Sequence, residues 1–415
     1  MLIQFNFKNY KSFRDETILD LSATRMTEFS DRVVAVGGDK LLRAAAIYGA
    51  NASGKSNVYG AFSYMTNYVT DSFQFGNEDK SYRFKRPKPF LLDDETENAE
   101  TTFEVYFTMP GDPHEKTYNY GFCIDNNGVS EEWLNTKAKS AREYKAIFYR
   151  NNETLDLEGF PAESKGNIIV ALEKQALVVS LGAKLKVDVC KQIRDWFLDN
   201  EMTDFANPYS SMRRYLPTGF VDDPSVREDV VEYLSAFDDS IKDFRIEPFP
   251  IQDDKDTYYK VSAVHKKTGS EALVEIPLED ESAGTLKMFS LYSDLQKVLR
   301  NGSVFFVDDL NARLHPLLVR NFILTFLNPK TNPRNAQLIF TIHDTWHLSN
   351  NLLRRDEVWF TEKNSKGVTT LYSLADFVTE DGTKIRKDED YEKNYLIGKY
   401  GAIPSLKTIQ FLEGE

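Results

Sequence analysis

Gly49-Ala50-Asn51-Ala52-Ser53-Gly54-Lys55-Ser56 is the stretch that decides the fold of this 415-residue chain. It fits the pattern G-x-x-x-x-G-K-[ST] at every position. The glycines let the backbone curl so that its N–H groups point inward, and a following helix adds its positive N-terminal end. Such a loop cradles phosphates, with Lys55 on the β- and γ-phosphates and the Ser56 hydroxyl on Mg²⁺. The alternative is an ordinary Gly/Ser turn.

The residues on either side of the loop have the patterns of a strand and a helix. Leu41 to Ile47 is an apolar run that suits a buried strand, because a glycine-containing loop follows at once. From Lys55 to Val69 the apolar side chains return at helical spacing. This order of elements predicts a site for ATP and Mg²⁺. The predicted nucleotide-binding residues in this loop are Gly49, Ala50, Asn51, Ala52, Ser53, Gly54, Lys55, Ser56 and Asn57.

A second group of polar residues follows the apolar run Ser303 to Val307, which predicts a strand buried on both faces. Asp308 and Asp309 come directly after it. The carboxyl edge of a parallel sheet would bring both acids beside the phosphate loop. We expect Asp308 to associate with Mg²⁺ and Asp309 to polarise the attacking water. Two acids that merely end a strand at a turn are the alternative.

A third strand end carries a histidine. Leu338 to Thr341 is apolar, and Ile342-His343-Asp344 follows. His343 at this position could hydrogen-bond the γ-phosphate and hold the water in line, so we predict it to be catalytic together with Asp309 and Lys55. We expect His315 to cap or pack at the start of the next helix. The other histidines receive a structural interpretation by default.

Composition limits the classes of protein that the chain can represent. Hydrophobic residues make up 41% and charged residues 28%, as in a globular protein. No apolar stretch is long enough to span a bilayer, the N-terminus lacks a signal-peptide pattern, and only two cysteines occur. We therefore expect a cytoplasmic protein without a membrane partner. A formal charge of −13 argues against coating DNA by bulk attraction, although a local basic groove remains compatible with it.

The rest of the chain predicts an α/β head with a mixed sheet and an inserted helical and strand lobe. Alternation around 103–107 and 118–122 indicates an antiparallel hairpin, and the helical patterns lie between 165 and 240. The predicted division is an N-terminal lobe with the phosphate loop (1–135), the inserted lobe (136–280) and a C-terminal lobe with the acids and the histidine (281–415).

Together these motifs resemble the ABC-type ATPase heads of the SMC, RecF and OLD group, and they look most like the RloA-like ATP-binding proteins of phage-defence loci. Several further pieces carry the resemblance beyond the phosphate loop, Asp308-Asp309 and His343. These pieces are Asn9-Tyr10-Lys11-Ser12-Phe13, Glu281-Ser282-Ala283-Gly284-Thr285, Leu314-His315-Pro316 and Tyr395-Leu396-Ile397-Gly398-Lys399-Tyr400-Gly401-Ala402-Ile403-Pro404.

The resemblance implies that Glu281 to Thr285 is the ABC signature motif. In such heads the signature binds the γ-phosphate of ATP held by the other subunit, so Ser282 and Gly284 become nucleotide-binding candidates and an ATP-linked homodimer is expected. The residues alone indicate only a helix cap. Family members usually carry Glu where this chain has Asp309, and a shorter acid predicts slow hydrolysis. No glutamine can be assigned to a Q-loop.

A basic segment between Tyr82 and Phe90 interleaves four cations with three aromatic residues. It could bind single-stranded nucleic acid or an acidic partner by phosphate contact and stacking. A solvated loop with aromatic anchors is the alternative.

Two functions are compatible with these patterns. The first is a defence ATPase that senses phage infection and controls a separately encoded toxic effector, such as a nuclease. The segment after the histidine shows no carboxylate cluster typical of a metal nuclease, which favours a separate effector. The second is a RecF-like DNA repair or recombination ATPase that acts directly on DNA.

Overall fold

The computed structural model describes residues 1–75, 84–206, 216–249, 258–379 and 382–404. The strands in this part of the chain are β1 (Leu2–Lys8), β2 (Thr17–Asp20), β3 (Val34–Val36), β4 (Asp39–Leu41), β5 (Ala44–Tyr48), β6 (Thr101–Thr108), β7 (Thr117–Ile124), β8 (Val129–Lys137), β9 (Lys145–Asn151), β10 (Leu155–Asp156), β11 (Glu201–Asp204), β12 (Ile241–Phe249), β13 (Tyr258–Lys266), β14 (Leu273–Pro277), β15 (Val304–Asp308), β16 (Gln337–Thr341), β17 (Val358–Lys363) and β18 (Thr369–Ser373).

The helices in the same ranges are α1 (Lys55–Asp71), α2 (Asp94–Glu97), α3 (Ala162–Ala171), α4 (Val178–Lys184), α5 (Asp188–Asp199), α6 (Pro224–Ser235), α7 (Ala283–Asn301), α8 (Pro316–Leu327) and α9 (Tyr391–Leu396).

The central sheet has six strands in the order β11-β15-β16-β5-β17-β18. The first five strands are parallel, and β18 pairs antiparallel with β17. The predicted α/β fold with a mixed sheet is therefore confirmed. Because parallel strands end at the same edge, the loops after β5, β15 and β16 lie side by side.

Alternate residues of β5 serve two different cores, as expected for a strand buried on both faces. Ala45 and Ile47 pack with α1, whereas Ala44, Ala46 and Tyr48 pack with α7 and α8. The sequence predicted a strand from Leu41, but β5 begins three residues later, at Ala44, because Leu41 is the last residue of β4.

A seven-stranded antiparallel sheet, in the order β10-β9-β8-β7-β6-β1-β2, covers the other side of α1. Phe62 of α1 contacts Phe5 on this sheet and Phe306 on the central sheet, with ring centroids 5.2 and 5.9 Å apart. The helix after the phosphate loop is thus held between two sheets. The predicted hairpin is confirmed as β6 and β7.

Two elements cross the predicted lobe boundaries. Residue 135 falls inside β8, so the antiparallel sheet continues into the inserted segment. Strand β11 also belongs to that segment, yet it pairs with β15 in the central sheet. The three-stranded sheet β12-β13-β14 precedes α7 directly in the chain. The three-lobe division stays a proposal.

Candidate nucleotide site

The phosphate loop begins where β5 ends, and its glycines are required by space and conformation. Gly49 has φ +150° and Gly54 has φ +116°. A Cβ atom on Gly49 would lie 2.5 Å from the Thr361 carbonyl oxygen, and one on Gly54 would lie 2.8 Å from the Thr369 side chain. The curled backbone that the motif predicted is therefore built into the fold.

Three hydroxyl residues outside the motif support the loop. Ser53 Oγ lies 2.6 Å from Thr361 Oγ1. The Thr369 hydroxyl donates to the Ser53 carbonyl at 2.8 Å and lies 2.8 Å from Ser12 Oγ. Sequence reasoning missed Thr361 and Thr369, because their contact with the loop depends on the pairing of β17 with β5. The sequence indicated Ser12 only as a member of the Asn9–Phe13 motif, without a role at the loop.

Lys55 is buried and folded back onto the loop. Only 4% of its surface is exposed, and Nζ donates to the carbonyls of Gly49 at 2.8 Å and Ala50 at 3.1 Å. Burial lowers the pKa of the Lys55 ammonium to about 8, against the opposing attraction of Asp309 and Asp308. An anionic phosphate would supply the counter-charge that this buried cation lacks.

Asp308 closes β15 and is 4% exposed. Its carboxylate accepts hydrogen bonds from the hydroxyls of Thr341 and Ser56. Burial raises the pKa of Asp308, while these two hydrogen bonds oppose the rise. The hydroxyl and the carboxylate predicted to hold Mg²⁺ are therefore in contact. Their oxygen chemistry fits Mg²⁺, which is typically bound by few protein ligands together with phosphate oxygens and water.

Asp309 and His343 form a pair across two neighbouring strand ends. His343 Nε2 lies 2.9 Å from Asp309 Oδ1. The contact with His343 lowers the pKa of Asp309, against the opposing effect of burial. The Asp309 backbone N–H donates to Thr341 Oγ1 at 2.8 Å, which fixes the residue at φ +55°. The structure thus brings the predicted acid and the predicted histidine together.

A cavity of about 700 Å³ opens beside the loop. Residues 49–53 and His343 line one side, and Thr361, Tyr395 and Ile403 line another. The Ala50 N–H donates to the Ala402 carbonyl at 3.0 Å, so the C-terminal Tyr-Gly-Ala-Ile-Pro piece lies directly against the phosphate loop. This contact could not be read from the sequence.

The predicted signature residues lie at the start of α7, outside this cavity. Ser282 caps the helix by accepting the Thr285 N–H at 3.1 Å. A Cβ atom on Gly284 would meet no atom closer than 3.7 Å, where Arg313 of the loop after Asp309 approaches. Neither space nor a positive φ requires glycine here. Among the residues that the structure describes, Ser282 and Gly284 do not line the cavity beside the loop.

The remaining candidates have structural roles in the described part of the chain. His315 caps α8 as predicted, since its Nδ1 accepts the Leu317 N–H at 3.2 Å. Within the basic segment, Arg86 donates to the carbonyl oxygens of Glu97 and Ala99, and Phe90 is buried. Tyr82 and Arg83 lie outside the described residues. The role of the segment in nucleic-acid binding stays a prediction.

In the ranges that the structure describes, none of the helices has the length and apolar character needed to cross a bilayer. The sequence model of one protein family matches residues 44–162 and 196–345, well over half of the chain. That family is described as "AAA domain, putative AbiEii toxin, Type IV TA system". A comparison with curated proteins gives no match. The matched ranges contain the phosphate loop, Asp308, Asp309 and His343, and the chain belongs to this family of AAA-type P-loop domains.

Proposed function

We propose that the chain binds ATP with Mg²⁺ and hydrolyses it. The observation that carries the proposal is the meeting of Lys55, Ser56, Asp308, Asp309 and His343 at one edge of the central sheet, after β5, β15 and β16. Each residue type matches one requirement of phosphoryl transfer: a cation, a metal-associated hydroxyl and acid, and groups that orient water.

The residues would act in a definite order. Lys55 leaves the carbonyls of Gly49 and Ala50 and pairs with the β- and γ-phosphates. Ser56 and Asp308 would hold Mg²⁺, which neutralises phosphate charge when it is bound. Asp309, whose carboxylate lies against His343, orients the attacking water, and His343 contacts the γ-phosphate. The shorter side chain of Asp309 predicts slow turnover and a long-lived ATP-bound state.

A complete site would require two copies of the chain. In one copy the fold gives Gly284 no steric reason to be glycine. This fact supports a signature that meets nucleotide bound to a second copy. The N-terminal end of α7 would offer that phosphate a partial positive charge and the N–H groups that the Ser282 cap leaves available.

The biological setting we propose is phage defence by abortive infection, with a separately encoded toxic effector controlled by ATP-dependent pairing of heads of the RloA-like kind. The family description, which names a toxin and a toxin–antitoxin system, supports this setting. A RecF-like ATPase that acts directly on DNA is the second candidate, favoured by the exposed Lys85 and Lys88 of the basic segment. Loss of phage protection in a Lys55→Ala strain, with DNA-damage survival unchanged, would separate the two.

Calorimetric titration with ATP and Mg²⁺ tests the nucleotide site. Lys55→Ala should abolish measurable binding while thermal unfolding shows an intact fold, because Lys55 supplies charge to the ligand. Lys366→Ala, which removes an exposed lysine in the β17–β18 turn, is the matched control and should bind as the wild type does. Equal affinities for all three proteins would refute the assignment of the phosphate loop.

A further inference from the structure

We infer that a groove between β2 and β18 receives an extended, positively charged segment of a protein partner. These two strands end the antiparallel sheet and the central sheet respectively. The groove has a volume of about 440 Å³, enough for a few residues, and residues from both strands line it. Neither the phosphate loop nor Asp308, Asp309 or His343 lines this groove, and the inference holds whether or not the chain controls a toxic effector.

The edge of β18 presents backbone groups that pair with no other strand in the ranges that the structure describes. The Thr369 N–H donates to the Ser12 carbonyl, away from β17, whereas the Leu374 N–H donates to Val358 on the β17 side. Because successive residues of a strand alternate in the side to which their backbone groups point, the N–H and C=O of Leu371 face the groove. An exposed edge of this kind is a template for strand addition.

The charge of the groove selects the partner. Glu16 and Asp20 line the β2 side and Asp376 lines the other side, whereas Asp15, which also lines the groove, is already paired with Arg14. None of the lining residues in the described part of the chain is basic. Carboxylates on both sides repel a nucleic-acid backbone and attract lysine or arginine side chains.

One buried polar group in the groove lacks a partner. Trp359 lines it with only 6% of its surface exposed, and its Nε1–H has no hydrogen-bond partner among the described residues. A buried donor without an acceptor is costly. That nitrogen has almost no accessible surface, so a carbonyl of an inserted strand would become its acceptor once the surrounding side chains move on binding. This acceptor is a second reason, independent of charge, to expect an extended peptide.

The groove also connects to the phosphate loop. Thr369, the first residue of β18, donates its hydroxyl to the Ser53 carbonyl of that loop. A strand added along β18 would therefore lie next to Thr369, which itself contacts the phosphate loop.

Fluorescence anisotropy with the full chain, without nucleotide, tests the inference. The probe is a short labelled peptide that alternates lysine and valine, compared with a glutamate–valine peptide and with a lysine–valine peptide N-methylated at alternate backbone nitrogens. We expect the lysine–valine peptide to bind and both comparison peptides to bind at least about tenfold more weakly. Asp20→Asn/Asp376→Asn should weaken binding about tenfold, whereas Glu153→Gln/Glu163→Gln, with the same change in net charge at exposed sites, should not.

Trp359→Phe gives an independent measurement. The wild type should show a change in tryptophan emission on binding that the variant lacks, and the variant should bind several-fold more weakly. Equal binding of the N-methylated peptide would overturn strand addition. Equal binding by both double variants would overturn the role of the acidic side chains. If Asp20→Asn/Asp376→Asn instead changed self-association in sedimentation without affecting the peptide, the occupant would be a second copy, and the inference would be wrong.

Discussion

Lys55 shows how a single residue sets the pH range of the proposed activity. Its pKa is lowered to about 8 by burial, and only the protonated form pairs with phosphate. Bound phosphates raise the pKa again, so the complex binds more protons than the free protein. ATP affinity should therefore fall as pH rises above about 8, by up to tenfold per pH unit.

Calorimetric titrations between pH 7 and 9.5 measure this dependence. A Lys55→Arg variant, whose cation cannot be deprotonated in this range, is the control and should show a flat profile if it binds. An affinity of the wild type that stays constant to pH 9.5 would show that Lys55 does not titrate as inferred.

Asp309 is the residue that limits turnover in this account. Asp309→Glu should raise the ATPase rate several-fold if, as proposed, the short side chain holds its carboxylate too far from the attacking water. Asp309→Asn should lower the rate at least about tenfold and stabilise an ATP-bound assembly. Steady-state phosphate release measures both effects.

The backbone at Asp309 supplies a check on this comparison. Its φ of +55° suits Asp and Asn better than Glu, so Asp309→Glu should lose a little thermal stability while it gains activity. A Glu variant that is as slow as the wild type or slower would disprove the idea that side-chain length impairs the site.

At the scale of elements, residues 281–285 at the start of α7 are either a structural helix cap or a functional signature motif. A substitution at Gly284 distinguishes the two. Gly284→Ala should stabilise the fold by about 0.5–1 kcal/mol, since alanine suits a helix better and a Cβ meets nothing closer than 3.7 Å in the same copy. If Gly284 contacts nucleotide on a second copy, the same variant should hydrolyse ATP more slowly. Thermal unfolding and phosphate release, measured on one preparation of the variant, distinguish the two roles. Greater stability with full ATPase activity would show that residues 281–285 act only as a helix cap.

The elements that the sequence predicted have a strong local pattern, whereas the elements that it missed depend on contacts between distant parts of the chain. β5, β15 and β16 are apolar runs next to informative polar residues, so local pattern was enough to place them and to bring Asp308, Asp309 and His343 together. β11 is a four-residue strand of half-buried side chains that pairs across about a hundred residues of sequence. The support of the loop by Thr361 and Thr369 depends on strand register, which no local pattern encodes.

At the scale of the whole molecule, two features hold the phosphate loop and the helix that follows it in place. The antiparallel sheet and the central sheet hold α1 between them, and the chain after β18 returns to the loop through the contact of Ala50 with Ala402. Among the described residues, Ser282 and Gly284 at the start of α7 do not line the cavity beside the phosphate loop of their own copy. Pairing of two copies would join each phosphate loop to the missing half of its site.

The central claim, an ATPase whose site is completed by a second copy, is tested most directly by mixing two inactive variants. Gly284→Asp should still bind ATP but hydrolyse it poorly, because the new carboxylate would repel the γ-phosphate of the other copy in a water-poor site. Lys55→Ala should not bind ATP. Mixed dimers contain one site with an intact loop and an intact signature, so the mixture should recover roughly a quarter of the wild-type rate. Full activity of Gly284→Asp alone, together with wild-type turnover per chain that stays constant on dilution far below any measured self-association, would contradict the account.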